Sequence, residues 1–388
     1  MIIKSIRQAK NLTAKKVFLR VDFNVPLAGD QIKDDFKIVA SLPTIRFLLR
    51  HCCSLIIATH LTKTASDKAI TSTKPLAKRL GELLDKKIKF IDSSSGPEIS
   101  KIAAKLKPCE ILLLDNLRLD SREEKNNSQF ARELASLADI YVNEAFAVSH
   151  RQHASLSAIK KYLPVFAGLL LAKEIVNLNK VLKPVEPLVA IIGGVKIETK
   201  AALIKKLLKK SDRLLIGGAL ANNFIAAHGF AVGRSVIDQA SLKIAAKLKS
   251  NKKIILPVDA VVSDRTSGGP VAVKTINRID KNEMILDIGP KTIKLYASFI
   301  KKANTLIWNG PMGYFENEHF KHGTLAIARL VASRSTGKAF GVVGGGETIA
   351  ALKMTKMEHY VDWVSTGGGA MLAYLSGAKL PGLRGIIK

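Results

Sequence analysis

The chain has 388 residues, 47% of them hydrophobic and 24% charged, and carries a formal net charge of +29. That length suits two domains with separate cores, because single cores stop growing at roughly 250–300 residues, and the composition excludes a largely disordered chain. No apolar stretch approaches the roughly 18 residues that cross a bilayer as a helix. The start mixes Lys4, Arg7 and Lys10 with isolated aliphatics rather than forming a leader, so a cytoplasmic protein without a membrane partner is expected.

Cys52, Cys53 and Cys109 are the only cysteines, and they offer neither a disulfide framework nor a zinc-ligand spacing; reduced thiols are expected. The positive charge is spread over lysine pairs such as Lys86–Lys87, Lys209–Lys210 and Lys301–Lys302. With 6% aromatics, not interleaved with the basic clusters, the chain has little with which to stack on bases. Nucleic acid is therefore not expected as a main partner, and the lysines read as a solvated face.

In chain order, short aliphatic runs end in polar or glycine turns and lead into helix-period segments, the pattern of parallel βαβ units. The first half predicts strands at Val17–Val21, Leu55–Thr59, Ile88–Ile91, Ile111–Leu114 and Ile140–Asn143, with helices such as Lys74–Leu84 and Gln129–Ala138 between them. Phe166–Leu182 reads as an amphipathic helix, ended by the two prolines of Lys183-Pro184-Val185-Glu186-Pro187. Strands resume at Leu188–Ile192, Arg213–Ile216, Ile254–Pro257, Thr305–Trp308, Gly341–Val343 and Val361–Val364. The expected fold is α/β: two Rossmann-like lobes, each a parallel sheet flanked by helices. Residues 1–165 form the first lobe, 166–187 a hinge helix and linker, and 188–372 the second lobe, with residues 373–388 returning to the first.

Ligands of open parallel sheets bind beyond the carboxyl ends of the strands. In the first half those ends carry Asp22 and Asn24, His60 and Lys63, Arg118, then His150, Arg151 and His153. Such cations and imidazoles suit a small ligand bearing phosphate and carboxylate groups. In the second half the same places hold glycines: Gly193-Gly194, Gly217-Gly218, Asn309-Gly310-Pro311, Gly344-Gly345-Gly346 and Gly367-Gly368-Gly369, with Lys196 and Lys200 after the first pair. Glycines admit phosphate oxygens to backbone amides, and a helix that starts there adds its positive end. Neither a Walker nor a dinucleotide-binding glycine motif occurs, so the nucleotide must be held by another design.

Arg20-Val-Asp22-Phe-Asn24-Val-Pro26, Asp115-Asn-Leu-Arg118, Tyr141-Val-Asn-Glu-Ala-Phe146, Asp287-Ile-Gly-Pro-Lys-Thr292, Trp308-Asn-Gly-Pro-Met-Gly-Tyr-Phe-Glu316 and Ser365-Thr-Gly-Gly-Gly-Ala370 together resemble phosphoglycerate kinase. The matching segments run from Arg20 to Pro381 in the family's order. The resemblance implies a glycolytic phosphotransferase that moves the acyl phosphoryl group of 1,3-bisphosphoglycerate to magnesium-bound ADP, giving 3-phosphoglycerate and ATP, with hinge closure. A monomer is the family expectation.

By that resemblance Asp22, Asn24, Lys37, His60, Lys63, Arg118 and Arg151 would hold the phosphoglycerate. Lys196, Lys200, Asn309, Gly345, Gly346, Glu347 and Thr348 would face the nucleotide phosphates, Glu316 the ribose, and Glu347 the magnesium ion. Lys37, Lys200 and the backbone at Gly368 would stabilise the migrating group. The sequence departs from the family's pattern at three of these places: Lys37 and Lys63 replace arginines, and Glu347 replaces an aspartate. Each keeps the charge, but the lysines lose the bidentate fork. The competing reading is a non-catalytic protein whose lysine-rich surface recruits an anionic partner.

Overall fold

A computed structural model describes residues 2–62, 72–195 and 200–387. The chain divides into two units, one of residues 1–176 with 379–388 and one of residues 177–378. Among the described residues no helix is long and apolar enough to cross a membrane.

In unit 1 the aliphatic runs become β1 (Lys16–Arg20), β2 (Ser54–Ala58), β3 (Lys89–Ile91), β4 (Ile111–Leu114), β5 (Ile140–Asn143) and β6 (Val165–Ala167). They form one parallel sheet in the order β3-β4-β2-β1-β5-β6. Strands buried on both faces read as continuous apolar runs, which is why Val17, Leu19, Leu55, Ile57, Leu113 and Val142 meet in one core. The chain passes from β1 to β2, then to the edge strand β3 and back to β4 between them, before it crosses to β5 on the other side of β1, so the order reverses beside β1, where a ligand crevice opens in such sheets.

The predicted helix at Phe166 begins later. Val165–Ala167 is a strand that pairs with β5, Val142 opposite Phe166, and α1 starts only at Leu169 and runs to Leu182. The delay has a local cause. A buried carboxylate, Glu144, accepts from Leu170 N and Leu171 N, each at 3.1 Å, and the Thr44 hydroxyl accepts from Leu169 N at 2.8 Å. These groups satisfy the orphan amides of the first turn. A Cβ on Gly168 would overlap the Glu144 carboxylate, so the chain turns there on a glycine. Burial pushes the Glu144 carboxyl up to about 7.

Unit 2 repeats the plan with β7 (Leu188–Ile192), β8 (Arg213–Ile216), β9 (Ile254–Ile255), β13 (Thr305–Asn309), β14 (Phe340–Gly344) and β15 (Trp363–Ser365), all parallel, in the order β9-β8-β7-β13-β14-β15. The reversal falls between β7 and β13. The sequence reading missed a second, antiparallel sheet of β10 (Asp259–Ser263), β11 (Val271–Thr275) and β12 (Met284–Ile288), ordered β11-β10-β12. Its strand β11 is half exposed, β10 begins and ends in polar residues and β12 is interrupted by Asp287, so it lacks the long apolar run that marks a buried strand. Helix Gly368–Leu375 also belongs to unit 2, so the returning segment starts at Lys379 rather than at residue 373.

Candidate active site

The carboxyl ends of β1 and β2 and the first turn of the helix Phe36–Arg50 bring His60 and Lys37 to one buried acid, Asp22, and Arg118 follows β4 nearby. The Lys37 ammonium lies 2.8 Å from Asp22 Oδ2, and His60 Nδ1 lies 3.9 Å from Asp22 Oδ1. Burial pushes the Asp22 carboxyl up, but Lys37 and His60 more than offset this and hold it below the usual range. Asn24 and Thr62 exchange hydrogen bonds, Thr62 N donating to Asn24 Oδ1 at 3.0 Å and Asn24 Nδ2 to Thr62 Oγ1 at 3.2 Å. Arg118 donates to the same hydroxyl at 2.7 Å and pairs with Glu124 at 3.1 Å. Arg151 is exposed on the turn after β5.

Behind this row lies a network the sequence reading did not single out. Arg20, the last residue of β1, is fully buried; its Nε donates to Ser155 Oγ at 2.8 Å, and its terminal nitrogens reach the Val21 carbonyl, His60 Nδ1 at 3.4 Å and Glu123 at 4.0 Å. Glu123 in turn accepts from Ser155 N at 2.9 Å and Ser155 Oγ at 2.5 Å. A buried arginine needs such an acid and such acceptors, so an arginine inside the strand run Lys16-Val-Phe-Leu-Arg20 was itself the signal. Burial, with Arg20, Arg118 and Lys37 as neighbours, pushes His60 well below its ordinary range despite Asp22. Burial and the same two arginines lower His153 to about 4. Both imidazoles are neutral at pH 7 and present a hydrogen bond without a charge.

Unit 2 builds its site from backbone. Gly193 N donates to Asn309 O at 2.9 Å across the switch point between β7 and β13, and Gly310 N donates to Thr348 Oγ1 at 2.7 Å. Gly310 sits at φ 94°, and a Cβ there would fall 2.3 Å from the Gly193 oxygen and 2.7 Å from Lys200 Nζ. Gly345, at φ 104°, would place a Cβ 2.8 Å from Asn309 Nδ2, which donates to Gly344 O at 2.6 Å. These approaches leave no room for a side chain.

Two helices begin at this rim, Gly346–Met354 and Gly368–Leu375, without a side-chain cap. Their first amides are therefore free for an anion. Open space surrounds Gly346, and Gly368 packs so tightly that its Cβ would fall 2.9 Å from Gly345 Cα.

Lys200 Nζ donates to the Gly193 carbonyl in the centre of these glycines. Burial lowers the ammonium to about 8, opposed by the charge of Glu347. Glu347 is exposed in the first turn of its helix. Beside the glycines opens a mainly apolar cavity of about 350 Å³, lined by Gly194, Gly218, Asn222, Leu286, Tyr314 and Glu316, with Glu347 at its edge. Its size and apolar walls suit one planar ring system. Lys63 and Lys196 lie outside the described residues. Among the described residues no group of three acids, histidines and cysteines could hold a metal ion by itself.

Unit 1 thus carries a crevice of charged and imidazole side chains and unit 2 a cradle of glycine amides beside an apolar cavity, and known proteins share both the sequence and the fold. The family model described as phosphoglycerate kinase matches residues 6–378. The phosphoglycerate kinase of Moorella thermoacetica is 44% identical over 96% of each chain, and the cytosolic phosphoglycerate kinase of Nicotiana tabacum 41% identical over 98% of this chain and 97% of its own. The solved structure of phosphoglycerate kinase from Coxiella burnetii superposes with a TM-score of 0.86 at 35% identity, covering 99% of both chains. The chain accordingly belongs to the phosphoglycerate kinase family, phosphotransferases with a carboxyl-group acceptor that pass the acyl phosphoryl group of 1,3-bisphosphoglycerate to ADP in glycolysis.

Proposed function

We propose that the two units divide this reaction between side chains and main chain. In unit 1, Asn24, Lys37, His60, Arg118 and Arg151 take the phosphate and carboxyl groups of the glycerate, joined by Lys63. Asp22 does not touch an anion directly; it holds Lys37 and His60 in place. In unit 2 the ring of the nucleotide enters the apolar cavity, Glu316 takes ribose hydroxyls, and Lys200, Asn309, Thr348 and the amides at Gly345 and Gly346 take phosphates, joined by Lys196. The observation that carries this reading is the Lys200 ammonium set among Gly193, Gly194 and Gly310, a buried charge beside backbone that no side chain covers.

Transfer between two bound ligands needs in-line positioning and cations around the equatorial oxygens, and no protein nucleophile. Lys37, Lys200 and the amides at Gly368 supply that charge. A magnesium ion bound with the nucleotide would neutralise the phosphates. Such an ion takes one or two protein carboxylates and completes its shell with phosphate and water. A single exposed carboxylate, Glu347, at the cradle fits that demand, and the lack of a three-acid cluster does not oppose it. The ligands must meet with water excluded, and the segment from Phe166 to Pro187, which contains α1, is the pivot we assign. We further assign the protein to the cytoplasm, as a monomer.

A coupled assay of ATP formation from 1,3-bisphosphoglycerate and ADP tests the reading. Lys200→Ala should lower kcat by about 10²–10³-fold, the cost of removing one preorganised charge stabiliser, while substrate protection of unit 1 against proteolysis persists. Turnover unchanged in that variant would sink the assignment, and no turnover in the native chain would favour the non-catalytic alternative.

A further inference from the structure

The amino-terminal ends of the unit 2 strands, opposite its nucleotide cradle, carry cations that neither the reaction nor the fold uses. Every connection that enters a strand of the six-stranded sheet, counted from the last turn of the preceding helix, presents at least one exposed lysine: Lys183 before β7, Lys209 before β8, Lys252 before β9, Lys301 and Lys302 before β13, Lys338 before β14 and Lys356 before β15. Lysines at helix ends ordinarily complement the helix dipole, but here other side chains already perform that task. Lys210 donates to Leu182 O at 2.7 Å, Lys249 to Ala227 O at 3.0 Å, Lys253 to Leu208 O at 3.1 Å and Arg334 to Ala303 O at 2.8 Å.

The exposed seven are surplus: among the described residues their side chains make no hydrogen bond or ion pair. The acids of this edge, Asp212, Asp362, Glu358 and Glu186, are outnumbered by these lysines, and among the described residues none pairs with one of them: Asp212 accepts from Leu188 N at 2.7 Å, Asp362 from Gly341 N at 2.8 Å, and Glu358 lies 3.7 Å from His359. In unit 1 the corresponding edge also bears lysines, but Glu110 pairs there with Lys89 at 2.6 Å, Asp139 intervenes before β5, and an uncharged Cys52–Cys53 turn precedes β2.

We infer that this strand-entry edge of unit 2 is a docking surface for the phosphodiester backbone of nucleic acid, read without regard to sequence. Six strands at about 4.8 Å spacing make an edge of roughly 24 Å, and one nucleic-acid strand presents a charge about every 3.4 Å of axis. The edge therefore spans about seven phosphates, one per surplus lysine. Lysine is a point charge that meets a phosphate without a fixed fork, and the lack of interleaved aromatics removes base stacking while leaving backbone contact intact. A bilayer is the poorer occupant: Val185, Met354 and Tyr360 are the exposed apolar side chains of this edge, too few and too scattered to form an inserted face. The edge lies at the opposite ends of the strands from the cradle, so occupation leaves the nucleotide's place in that unit free.

Fluorescence anisotropy with short mixed-sequence RNA and DNA oligonucleotides, on the full chain and across a salt series, tests this. Removing four charges together, Lys209→Gln, Lys301→Gln, Lys302→Gln and Lys338→Gln, should weaken binding at least tenfold and flatten the slope of log affinity against log salt by about 0.7–0.9 per lost phosphate contact. Removing four from the other half of the unit, Lys243→Gln, Lys281→Gln, Lys291→Gln and Lys294→Gln, should change affinity less than about threefold; both variants should retain turnover. The RNA and DNA arms identify the sugar. Equal weakening by the two sets would reduce the effect to bulk charge and overturn the proposal. So would no binding at low salt, or binding to phosphatidylserine vesicles without binding to oligonucleotides.

Discussion

Unit 1 and unit 2 are built on the same sheet plan and differ in what their strand ends carry. Unit 1 places charged and imidazole side chains there and supports them with a second, buried charge network behind β1. Unit 2 places glycines there, so that carbonyls, amides and one lysine come within contact distance of each other. On the assignment proposed above, the difference teaches how one architecture would serve two ligands. A compact acid with few atoms needs directional side chains around it, whereas a nucleotide tail needs room for phosphates against main chain and an apolar slot for its ring. The two sites should therefore fail in opposite ways, unit 1 when atoms are removed and unit 2 when atoms are added.

The largest effect is expected behind the unit 1 site. Arg20→Ala leaves Glu123 buried with Ser155 and, at 3.9 Å, the neutral His153 imidazole, and takes away a donor beside His60. Breaking a buried pair in this manner costs about 3–5 kcal/mol, and urea unfolding followed by circular dichroism should register the loss. If the cost is electrostatic, the double change Arg20→Met with Glu123→Gln should recover a good part of it; if it stays as large, packing rather than charge is what holds the network.

Adding one methyl group should do to unit 2 what removing a charge does to unit 1. Gly345→Ala meets both a left-handed φ of 104° and a contact of 2.8 Å with Asn309 Nδ2. A displacement of the cradle by about an ångström should lower kcat/KM for ADP by about 10²-fold, with the KM for phosphoglycerate unchanged. A variant with native kinetics for both substrates would break the comparison. By contrast, Lys37→Ala should lower kcat about 10²-fold, the lower end for one charged contact in the transition state. It should also release Asp22 from the ion pair that holds its carboxyl down. Lys37→Arg, which offers the fork the chain lacks, should match or exceed the native rate, and a loss as large as that of the alanine variant would show that Asp22 tolerates only the point charge.

The sequence revealed these two sites unequally, for physical reasons. Strands such as Ile111–Leu114, Ile140–Asn143, Leu188–Ile192 and Arg213–Ile216 match their predicted bounds because burial on both faces leaves an uninterrupted apolar run. The antiparallel sheet stayed hidden because its strands face solvent in part and its buried acids, Asp259 and Asp287, are satisfied by amides from distant turns, such as Thr292 N and Gly323 N. Glycines at strand ends announced the cradle, since only a close approach makes so many of them necessary. The partner of Arg20 could not be read in advance: Ser155 stands 135 residues away, and no local pattern ties Glu123 to a strand it meets only in the folded unit. The first turn of α1 was misplaced for the same reason, its capping groups coming from Thr44 and Glu144.

The smallest effect concerns pH, and it separates the two sites by the group that titrates. His60 and His153 are already neutral at pH 7, and protonating them takes acid. Lys200 differs, because burial brings its ammonium down to about 8. Nucleotide phosphates favour the charged form, so binding below that value uses an ammonium already present, whereas binding above it must take up a proton. The KM for ADP should therefore stay flat up to about pH 8 and then rise, by at most tenfold per pH unit for one proton, while the KM for phosphoglycerate stays level. Bound phosphate raises the pKa of Lys200 in the complex, so kcat should hold to higher pH than kcat/KM for ADP. Lys200→Arg keeps a charge that does not titrate in this range and should abolish the rise; a rise that persists in that variant would assign the titration to another group and leave the buried ammonium without its kinetic role.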